Sequence, residues 1–388
     1  MKIHDLIVIG AGPAGSSAAR KGAELGLNVL VIDKESFPRD KPCGGGLSAA
    51  AYKELGEDLP EHLIEQKCYG MRSVYRNQIH LIESETPVAY MIRRIHFDNY
   101  LLEQALSQGA VFSQETCRAV RETSGLVEIE TDKGTHYSRY CIGADGFFSP
   151  TAKSVRDPFS KAETRFCLIS HPADNGHPIR QSEKPVVELD FGFIRKGYGW
   201  LFPKGEFISA GIGGEAASAK ELRHVYKAFL ASHNLDQAEK PQGCFIPVSN
   251  LKHELATGRI MLAGDAAGLV DSFSGEGIRN ALISGRLAAE KATEAKSRDG
   301  AVQGYKSSLL KKIGNNLIWS ERMTRVSSRF ESLVYGRLLA DERVMKRYFE
   351  ILRGDRSYRS FFLMTMLELP LIILSVSIKK TGMLNRTR

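Results

Sequence analysis

Residues 6–15 read LIVIGAGPAG, an apolar strand followed at once by a glycine-rich turn and the start of a helix. A second apolar run ends at Asp33, 18 residues beyond the turn. This spacing is typical of a dinucleotide-binding unit: Gly10, Gly12 and Gly15 let the backbone approach a pyrophosphate, and Asp33 binds an adenosine ribose. The strand, the turn, the helix and the acid agree with one another, which favours this interpretation over a chance glycine turn.

Two later turns repeat the pattern of a strand end, glycines and an acid. Residues 143–146 read GADG and contain Asp145. Residues 264–278 begin with Gly264 and Asp265 and end with the segment GEGI. Because the carboxyl ends of parallel strands meet at one edge of a sheet, we expect the three turns to converge on one elongated ligand. FAD is the predicted cofactor.

The predicted fold class is α/β: a Rossmann-like FAD-binding domain interrupted by an antiparallel-sheet substrate domain, with a helical C-terminal region. Short strand-like runs such as residues 186–191 and 207–212 alternate with glycine and proline turns, and long-helix patterns are rare among them. We assign residues 1–70, 92–157 and 257–300 to the FAD-binding domain, residues 71–91 and 158–256 to the substrate-binding sheet domain, and residues 301–388 to the helical C-terminal region.

Periodicity also predicts individual elements of the FAD-binding domain. The predicted helices follow the first glycine turn to residue 26, run from Asp98 to Gly109, and run from Gly277 to Lys296. Residues 127–131 and 136–142 are predicted to form a hairpin.

The charge of the chain is uneven. Residues 301–388 hold 17 basic and 7 acidic side chains, whereas the other 300 residues hold 36 and 38. Within this basic region, residues 361–378 are largely apolar but contain Glu368 and Pro370. The stretch is short for a bilayer of about 30 Å. The alternatives, in order of decreasing preference, are a buried helix, an interfacial helix beside anionic headgroups and a membrane span.

Other features bear on location and partners. The apolar strand starts almost at Met1, which predicts no secretory signal and therefore a cytoplasmic protein, in peripheral contact with the inner face of the membrane through its C-terminal region. Six cysteines show no zinc spacing, so we expect free thiols and no metal. No nucleic acid partner is expected, and the oligomeric state stays open.

The sequence resembles the geranylgeranyl reductase family, within the larger class of flavoproteins built like p-hydroxybenzoate hydroxylase. The resemblance runs from residue 3 to about residue 296, and its family-specific parts are residues 41–48 (KPCGGGLS) and 197–203 (GYGWLFP). The three glycine turns and residues 94–98 (RIHFD) mark the broader class. One departure is Ser272, where similar chains usually carry proline before the GEGI segment.

The resemblance implies roles for the residues that match it. It assigns the FAD pyrophosphate to Ala14 with its flanking glycines, the ribose to Asp33, another polar part of FAD to Arg94, the ribityl or pyrophosphate region to Asp265, further FAD contact to Asp145, and the flavin ring to the Gly277 and Ile278 amides. A helix that begins at Gly277 directs its positive end at the flavin edge where negative charge collects on reduction.

The resemblance also directs attention to residues near the ring. Cys43, Gly44 and Gly46 form a turn with little side-chain bulk, in which the thiol either gates the flavin or supplies a proton; a small buried hydrophobe is the alternative. Tyr198, Trp200 and Phe202 alternate along a strand and share one face, as sheet core or as the wall of a lipid-accepting cavity. Cys43, Tyr198 and Trp200 are the predicted catalytic residues.

The predicted function is FAD-dependent reduction of carbon–carbon double bonds in a geranylgeranyl or other polyprenyl chain, within isoprenoid or lipid metabolism. The alternatives are an FAD-dependent monooxygenase or halogenase, although the W-x-W-x-I-P signature of halogenases is absent, and a non-catalytic prenyl-binding carrier, against which Asp33, Asp145 and Asp265 argue. A single G-x-G-x-x-G predicts no separate nicotinamide domain, so the reductant is NADPH docking transiently or a ferredoxin-like donor.

Overall fold

A computed structural model describes residues 2–174, 176–181, 184–215, 219–235, 240–249 and 251–384. Its strands are β1 (Ile3–Ile9), β2 (Val29–Asp33), β3 (Gly46–Ser48), β4 (Gln66–Cys68), β5 (Gly70–Tyr75), β6 (Gln78–Glu83), β7 (Ala89–Met91), β8 (Val111–Gln114), β9 (Cys117–Thr123), β10 (Leu126–Thr131), β11 (Thr135–Gly143), β12 (Thr164–Ser170), β13 (Val187–Asp190), β14 (Tyr198–Lys204), β15 (Phe207–Gly214), β16 (Gln242–Pro247), β17 (Ala256–Thr257) and β18 (Ile260–Leu262).

The α-helices lie between and after these strands. They are α1 (Pro13–Glu24), α2 (Ala49–Lys53), α3 (Arg94–Ser107), α4 (Pro178–Gln181), α5 (Ala219–Ser232), α6 (Ile278–Ser297), α7 (Tyr305–Leu309), α8 (Asn315–Arg329), α9 (Glu331–Val334), α10 (Glu342–Arg353) and α11 (Tyr358–Leu384).

The first sheet has a parallel centre in the order β18-β11-β1-β2-β8. Ile7 of β1 lies opposite Leu30 on one side and Cys141 on the other. The side chains of β1 from Leu6 to Val8 are fully buried, as expected for a central strand covered on both faces. The parallel pairing brings the carboxyl ends of β1, β11 and β18 to one edge, and each predicted glycine turn follows one of these strands.

Helices α1 and α6 pack closely against each other beside this sheet. A Cβ at Gly285 of α6 would lie 2.1 Å from the carbonyl oxygen of Ala14, so only glycine allows this approach. The close packing fixes the start of α6 near the start of α1 and therefore places the first and third glycine turns together.

The second sheet has the order β16-β12-β15-β14-β13-β5-β6 and is antiparallel except for the parallel pair β13–β5. One face packs against α5, whose side chains Leu222, Tyr226 and Phe229 are fully buried. The other face shares a hydrophobic cluster with α10 and α11. A small sheet, β3-β7-β4, lies alongside.

The predicted α/β fold class is confirmed, with a parallel sheet, a mostly antiparallel sheet and a helical C-terminal region. The structure corrects two details. Helix α3 begins at Arg94, four residues before the predicted start, and the second sheet is covered by the 14-residue helix α5, although few long helices were expected there. The residue bounds assigned to the three regions stay a prediction.

Helix α11 contains Pro370 and covers the stretch for which three alternatives were left open. The start of this helix is tied to the body of the protein, since Tyr358 and Phe361 are buried in the cluster shared with α10. Within the described residues, none of the helices combines the length and the apolar character that crossing a membrane requires.

Candidate active site

A cavity of about 300 Å³ lies where the first and second sheets meet. Its lining includes the predicted site residues Gly12, Ala14, Cys43, Gly44, Gly46, Arg94, Tyr198, Trp200, Asp265, Gly277 and Ile278. The predicted residues Gly10, Gly15 and Asp145 lie in the same turns but outside the lining, and Asp33, at the end of β2, also lies outside it. The fold therefore brings the three glycine turns and the aromatic strand β14 to one cavity.

The glycines of the first turn have different tasks. Gly10 has a φ of +97°, and a Cβ at Gly15 would lie 1.7 Å from the Gly10 carbonyl oxygen, so both are required by the turn itself. A Cβ at Gly12 would meet nothing nearer than Arg39 Nη2 at 3.6 Å. The fold thus leaves space at Gly12 that a ligand can occupy.

Helix α1 begins at this open position without a side-chain cap. The first amides of a helix need hydrogen-bond acceptors, and together with the helix dipole they favour an anion. Cationic side chains lie nearby: Lys41 Nζ is 3.4 Å from Asp265 Oδ2, and both residues line the cavity. An uncapped, glycine-opened helix start beside a lysine suits the pyrophosphate of a dinucleotide.

Asp33 holds the first turn in place. Its Oδ2 accepts a hydrogen bond from the Ala11 amide at 2.7 Å, and its Oδ1 accepts one from the Glu35 amide at 2.9 Å. Binding of a ribose by Asp33 stays a prediction.

The Asp145 side chain lies outside the cavity lining. Its carboxylate accepts hydrogen bonds from the Ser149 hydroxyl and from the amide and hydroxyl of Thr151, and burial raises the pKa of the group. In this turn the neighbours Ala144 and Gly146 line the cavity. Contact between FAD and Asp145 stays a prediction.

Arg94 lies at the first turn of α3 and is held by a residue that sequence reasoning missed. Its Nε and Nη2 donate hydrogen bonds of 2.7 and 2.6 Å to the two carboxylate oxygens of Asp98, which is fully buried. Arg39 Nη1 also lies 2.7 Å from Asp98 Oδ2. Burial lowers the pKa of Arg94, but the Asp98 carboxylate raises it by more. Arg94 is therefore positively charged in the cavity lining. The i, i+4 spacing of Arg94 and Asp98 was the signal available in the sequence.

The three glycines of residues 44–46 leave room for side chains of the aromatic strand β14. A Cβ at Gly44 would lie 2.8 Å from Trp200 Nε1, and one at Gly46 would lie 2.8 Å from the Phe202 ring. At Gly45, with a φ of +66°, a Cβ would meet the Lys204 ammonium at 2.3 Å. The turn thus lacks side-chain bulk, as predicted, and side chains of β14 occupy the space.

Lys204, at the end of β14, was not singled out from the sequence. It is buried, its Nζ donates a 2.7 Å hydrogen bond to the Ile92 carbonyl, and burial lowers its pKa to about 8. The Cys43 sulfur, in the same turn, accepts a hydrogen bond of 3.3 Å from the Gly45 amide. The buried Lys204 ammonium thus packs against the turn that contains Cys43.

The third turn brings a second uncapped helix start to the cavity. Asp271 Oδ1 accepts hydrogen bonds of 2.8 Å from the amides of Phe273 and Ser274, which fold residues 271–277 back towards α6. Helix α6 begins at Ile278, and Gly277 provides no side-chain cap. Ser272, the departure from proline, lines the cavity and lies 3.4 Å from the Ser320 hydroxyl.

The alternation predicted along β14 is present, because Tyr198, Trp200 and Phe202 all line the cavity. Glycines of β15 make room for the indole of Trp200, since a Cβ at Gly211 would lie 2.1 Å from it. Trp200 is 7% exposed, and among the described residues its Nε1 has no hydrogen-bond partner. Because the nitrogen itself is enclosed beside the Gly44 turn, the ring of Trp200, rather than its N–H group, is the part that lines the cavity.

We therefore expect Trp200→Phe to cost folding free energy rather than a hydrogen bond to a ligand. The smaller ring leaves unfilled space on Gly211, which costs about 1–3 kcal/mol. Urea unfolding measures this loss, and calorimetric titration with FAD and with a prenyl compound measures the affinities, which are expected to change little. Unchanged stability, with a fivefold or greater loss of affinity for either ligand, would show that the indole N–H group bonds to that ligand instead.

Cys167 and Cys244 also line the cavity, together with Cys43. They lie directly opposite each other on the antiparallel strands β12 and β16. The hydrogen bond between the two thiols raises the pKa of Cys167 and lowers that of Cys244. Sequence reasoning treated both as ordinary core or surface residues, because the pairing of strands 77 residues apart carries no local signal.

Comparisons with known proteins identify the family of this chain. Residues 4–189 match the FAD binding domain family. Over 303 residues the chain is 33% identical to geranylgeranyl diphosphate reductase of Rhodobacter capsulatus, spanning 74% of this chain and 75% of that protein. Over 314 residues it is 30% identical to menaquinone reductase of Mycobacterium tuberculosis, spanning 74% and 76%.

Solved structures share the fold over almost the whole chain. A geranylgeranyl bacteriochlorophyll reductase-like protein of Thermoplasma acidophilum has a TM-score of 0.77 at 22% identity, covering 97% of this chain and 99% of that one. A flavin-dependent brominase has a TM-score of 0.75 at 17% identity, covering 94% and 98%. At these identities the likeness establishes the fold alone.

Proposed function

Because this chain belongs to the geranylgeranyl reductase family and is an FAD-dependent oxidoreductase, we propose that it reduces carbon–carbon double bonds of a geranylgeranyl or other polyprenyl chain. The observation that carries the proposal is the continuity of one cavity, which runs from the glycine turns to an apolar wall on the second sheet. Such a cavity brings a redox cofactor and a long hydrocarbon into contact.

The polar end of the cavity fits FAD. The uncapped start of α1 at Gly12, together with Lys41, would hold the pyrophosphate. Arg94 would contact another polar part of FAD, and Asp33 would bind the ribose. The uncapped start of α6 would direct the Gly277 and Ile278 amides at the flavin ring. FAD, when bound and reduced, supplies a hydride.

The other end of the cavity suits an isoprenoid. Met71, Ile169, Val187 and Leu189 are buried and line it beside Trp200. These side chains exclude water and offer no polar group to a hydrocarbon chain. An isolated alkene accepts a hydride only as positive charge develops on it, and an aromatic face stabilises such charge by about 0.5–2 kcal/mol.

The experiment is an anaerobic incubation of dithionite-reduced protein with geranylgeranyl diphosphate, a geranylgeranyl phospholipid and menaquinone. We expect a product of at least one of them to gain two hydrogen atoms for each saturated bond, measured by mass spectrometry. No gain with any of them contradicts the proposal, and a product that contains oxygen only after admission of air indicates a monooxygenase.

The electron donor is the part of the reaction that the cavity does not supply. We propose that NADPH docks transiently or that a ferredoxin-like protein delivers electrons. Anaerobic bleaching of the flavin absorbance by each donor in turn decides between them.

We also propose that the C-terminal region contacts membrane surface, where a polyprenyl lipid resides. Leu363, Leu367 and Leu371, spaced four residues apart on α11, are 46%, 82% and 60% exposed. Residues 301–388 carry ten more basic than acidic side chains, which favours anionic headgroups. The two features together suit an apolar stripe that inserts shallowly while basic side chains meet lipid phosphates.

Leu367→Glu tests this contact. Placing a carboxylate in the stripe is expected to lower partitioning onto vesicles with anionic lipid by roughly tenfold, because a charge replaces an apolar side chain that would insert into the lipid. Co-sedimentation measures the effect, with Leu81→Glu on β6, also exposed, as the matched control. Equal binding of both variants, or equal binding to neutral and anionic vesicles, would contradict the proposal.

A further inference from the structure

Glu276 presents a carboxyl group to the cavity that none of the roles above uses. It lies between Gly275 and the start of α6, and it lines the cavity. The Ser48 hydroxyl donates a hydrogen bond to Glu276 Oε1. The Ser48 oxygen also accepts a hydrogen bond of 3.0 Å from the Ala51 amide. The single proton of the Ser48 hydroxyl is therefore directed at Glu276. One carboxyl oxygen is thereby fixed from outside the cavity.

The second oxygen, Oε2, is differently placed. In the part of the chain that the structure describes, no hydrogen-bond donor is bonded to Oε2, and the atom is not sealed in the protein. An oxygen that is held by no protein donor and faces a cavity can exchange its proton with a ligand. The orientation set by Ser48 therefore leaves a proton on Oε2 as the one available for transfer.

The surroundings of Glu276 disfavour its charged form. Burial raises the pKa of its carboxyl, Asp271 and Glu54 raise it further, and Arg279 opposes them. Arg279 is itself directed to Glu54, with 3.5 Å between Nη2 and Oε1. The other titratable groups that face Glu276 are the phenols Tyr198 of β14, Tyr348 of α10 and Tyr358 of α11, whose pKa values burial raises. Of these described neighbours, only Arg279 of α6 is cationic.

The local backbone places this carboxyl beside the predicted flavin and substrate positions. Gly275 has a φ of +73°, and a Cβ there would lie 2.7 Å from the Tyr198 hydroxyl, so the turn packs directly on β14. Glu276 is therefore bracketed by the aromatic strand on one side and the Gly277 and Ile278 amides on the other. A donor in this position reaches an alkene that lies against the aromatic face.

We propose that Glu276 is the general acid of the reduction, giving its proton to the alkene carbon that does not receive the hydride. This rests on the proposed function. The hydride of the reduced flavin forms a C–H bond at one carbon, and the electron pair of the π bond takes the proton from Oε2 at the other. The carboxylate left behind is reprotonated from solvent. Glu276 is thus assigned as a catalytic residue.

The first test needs neither substrate nor turnover. An infrared pH titration, recorded as wild type minus Glu276→Gln, is expected to show the carbonyl band of the protonated acid persisting to a higher pH than an ordinary glutamate with a pKa near 4.3 allows. Loss of this band at or below the ordinary value overturns the proposal. Glu61→Gln serves as the control, because it removes an exposed carboxylate that lies outside the cavity lining.

The second test is the rate at which prenyl substrate reoxidises the reduced protein. Glu276→Gln keeps an acceptor for Ser48 and is expected to bind FAD normally but react roughly 10²- to 10⁴-fold more slowly, the usual contribution of a general acid. Glu276→Asp recovers part of the rate. The wild-type rate falls as pH rises through the raised pKa of Glu276, and the glutamine variant lacks this dependence.

The outcomes separate this proposal from the proposed function. If wild type reduces a prenyl compound and Glu276→Gln does so within threefold, Glu276 is not the acid while the reductase function stands. If wild type reduces none of the compounds, the proposed function fails and the role of Glu276 fails with it.

Discussion

Replacing Gly12 by alanine is expected to leave the apoprotein folded and to weaken FAD binding by roughly ten- to a hundredfold, the equivalent of about 1–3 kcal/mol of steric overlap. The backbone at Gly12 has a φ of −73°, which alanine adopts readily, and the nearest protein atom would lie 3.6 Å from the new methyl group. Only a ligand on the start of α1 would meet it. Fluorescence titration of the apoprotein with FAD measures the loss.

Gly15→Ala is the matched control, because here the methyl group would lie 1.7 Å from a backbone oxygen. We expect this variant to lose about 3 kcal/mol of unfolding free energy even without FAD. The contrast between the two variants separates a glycine needed by the ligand from one needed by the chain. Full FAD affinity in Gly12→Ala would show that the pyrophosphate does not lie at this helix.

Replacing His233 by leucine is expected to cost roughly 3–5 kcal/mol of folding free energy, because it leaves buried carboxylates without their partner. His233 Nδ1 lies 3.0 Å from Glu188 Oε1, and its Nε2 lies 3.1 Å from Asp190 Oδ2. Glu188 is fully buried and is also paired with Arg72. Urea unfolding of the two proteins at neutral pH measures the difference.

The same cluster makes stability depend on pH. Burial lowers the pKa of His233, but the hydrogen bonds to Asp190 and Glu188 outweigh it and raise the pKa to about 9. A pKa raised on folding stabilises the protein fully below the unfolded value of 6.5, and this contribution is lost as pH rises through 9. From this shift we expect wild type to lose about 3 kcal/mol between pH 6 and 9.5 and His233→Leu to lose much less. Parallel pH profiles of the two proteins would contradict the assignment.

The sequence predicts the strands, turns and helices at the glycine-rich end of the cavity well because their signals are local. Gly10 to Gly15 with Asp33, and the GEGI segment before α6, each combine a strand, a turn and a helix within a few tens of residues. Such spacings follow from backbone geometry alone, so the start of α6 was predicted within one residue. The alternation of Tyr198, Trp200 and Phe202 is equally local.

The substrate end was harder to predict because it depends on long-range pairing. Cys167 and Cys244 face each other only through the register of β12 and β16, and Glu276 meets Ser48 across 228 residues. Asp145 shows the opposite problem. An acid after a strand can serve a ligand or its own turn, and the sequence alone does not show the hydrogen bonds that Asp145 accepts from Ser149 and Thr151.

A single anaerobic turnover shows whether this FAD-dependent protein transfers a hydride to an isoprenoid alkene. Chemically reduced protein is mixed, in separate runs, with one equivalent of geranylgeranyl diphosphate, of a geranylgeranyl phospholipid and of menaquinone, while the flavin absorbance is recorded and the product mass is measured by mass spectrometry. With at least one of the three compounds, we expect oxidised flavin to return without oxygen, with one dihydro product formed for each flavin. Flavin that stays reduced in every run until air is admitted, with all three prenyl chains unchanged, would rule out this reaction.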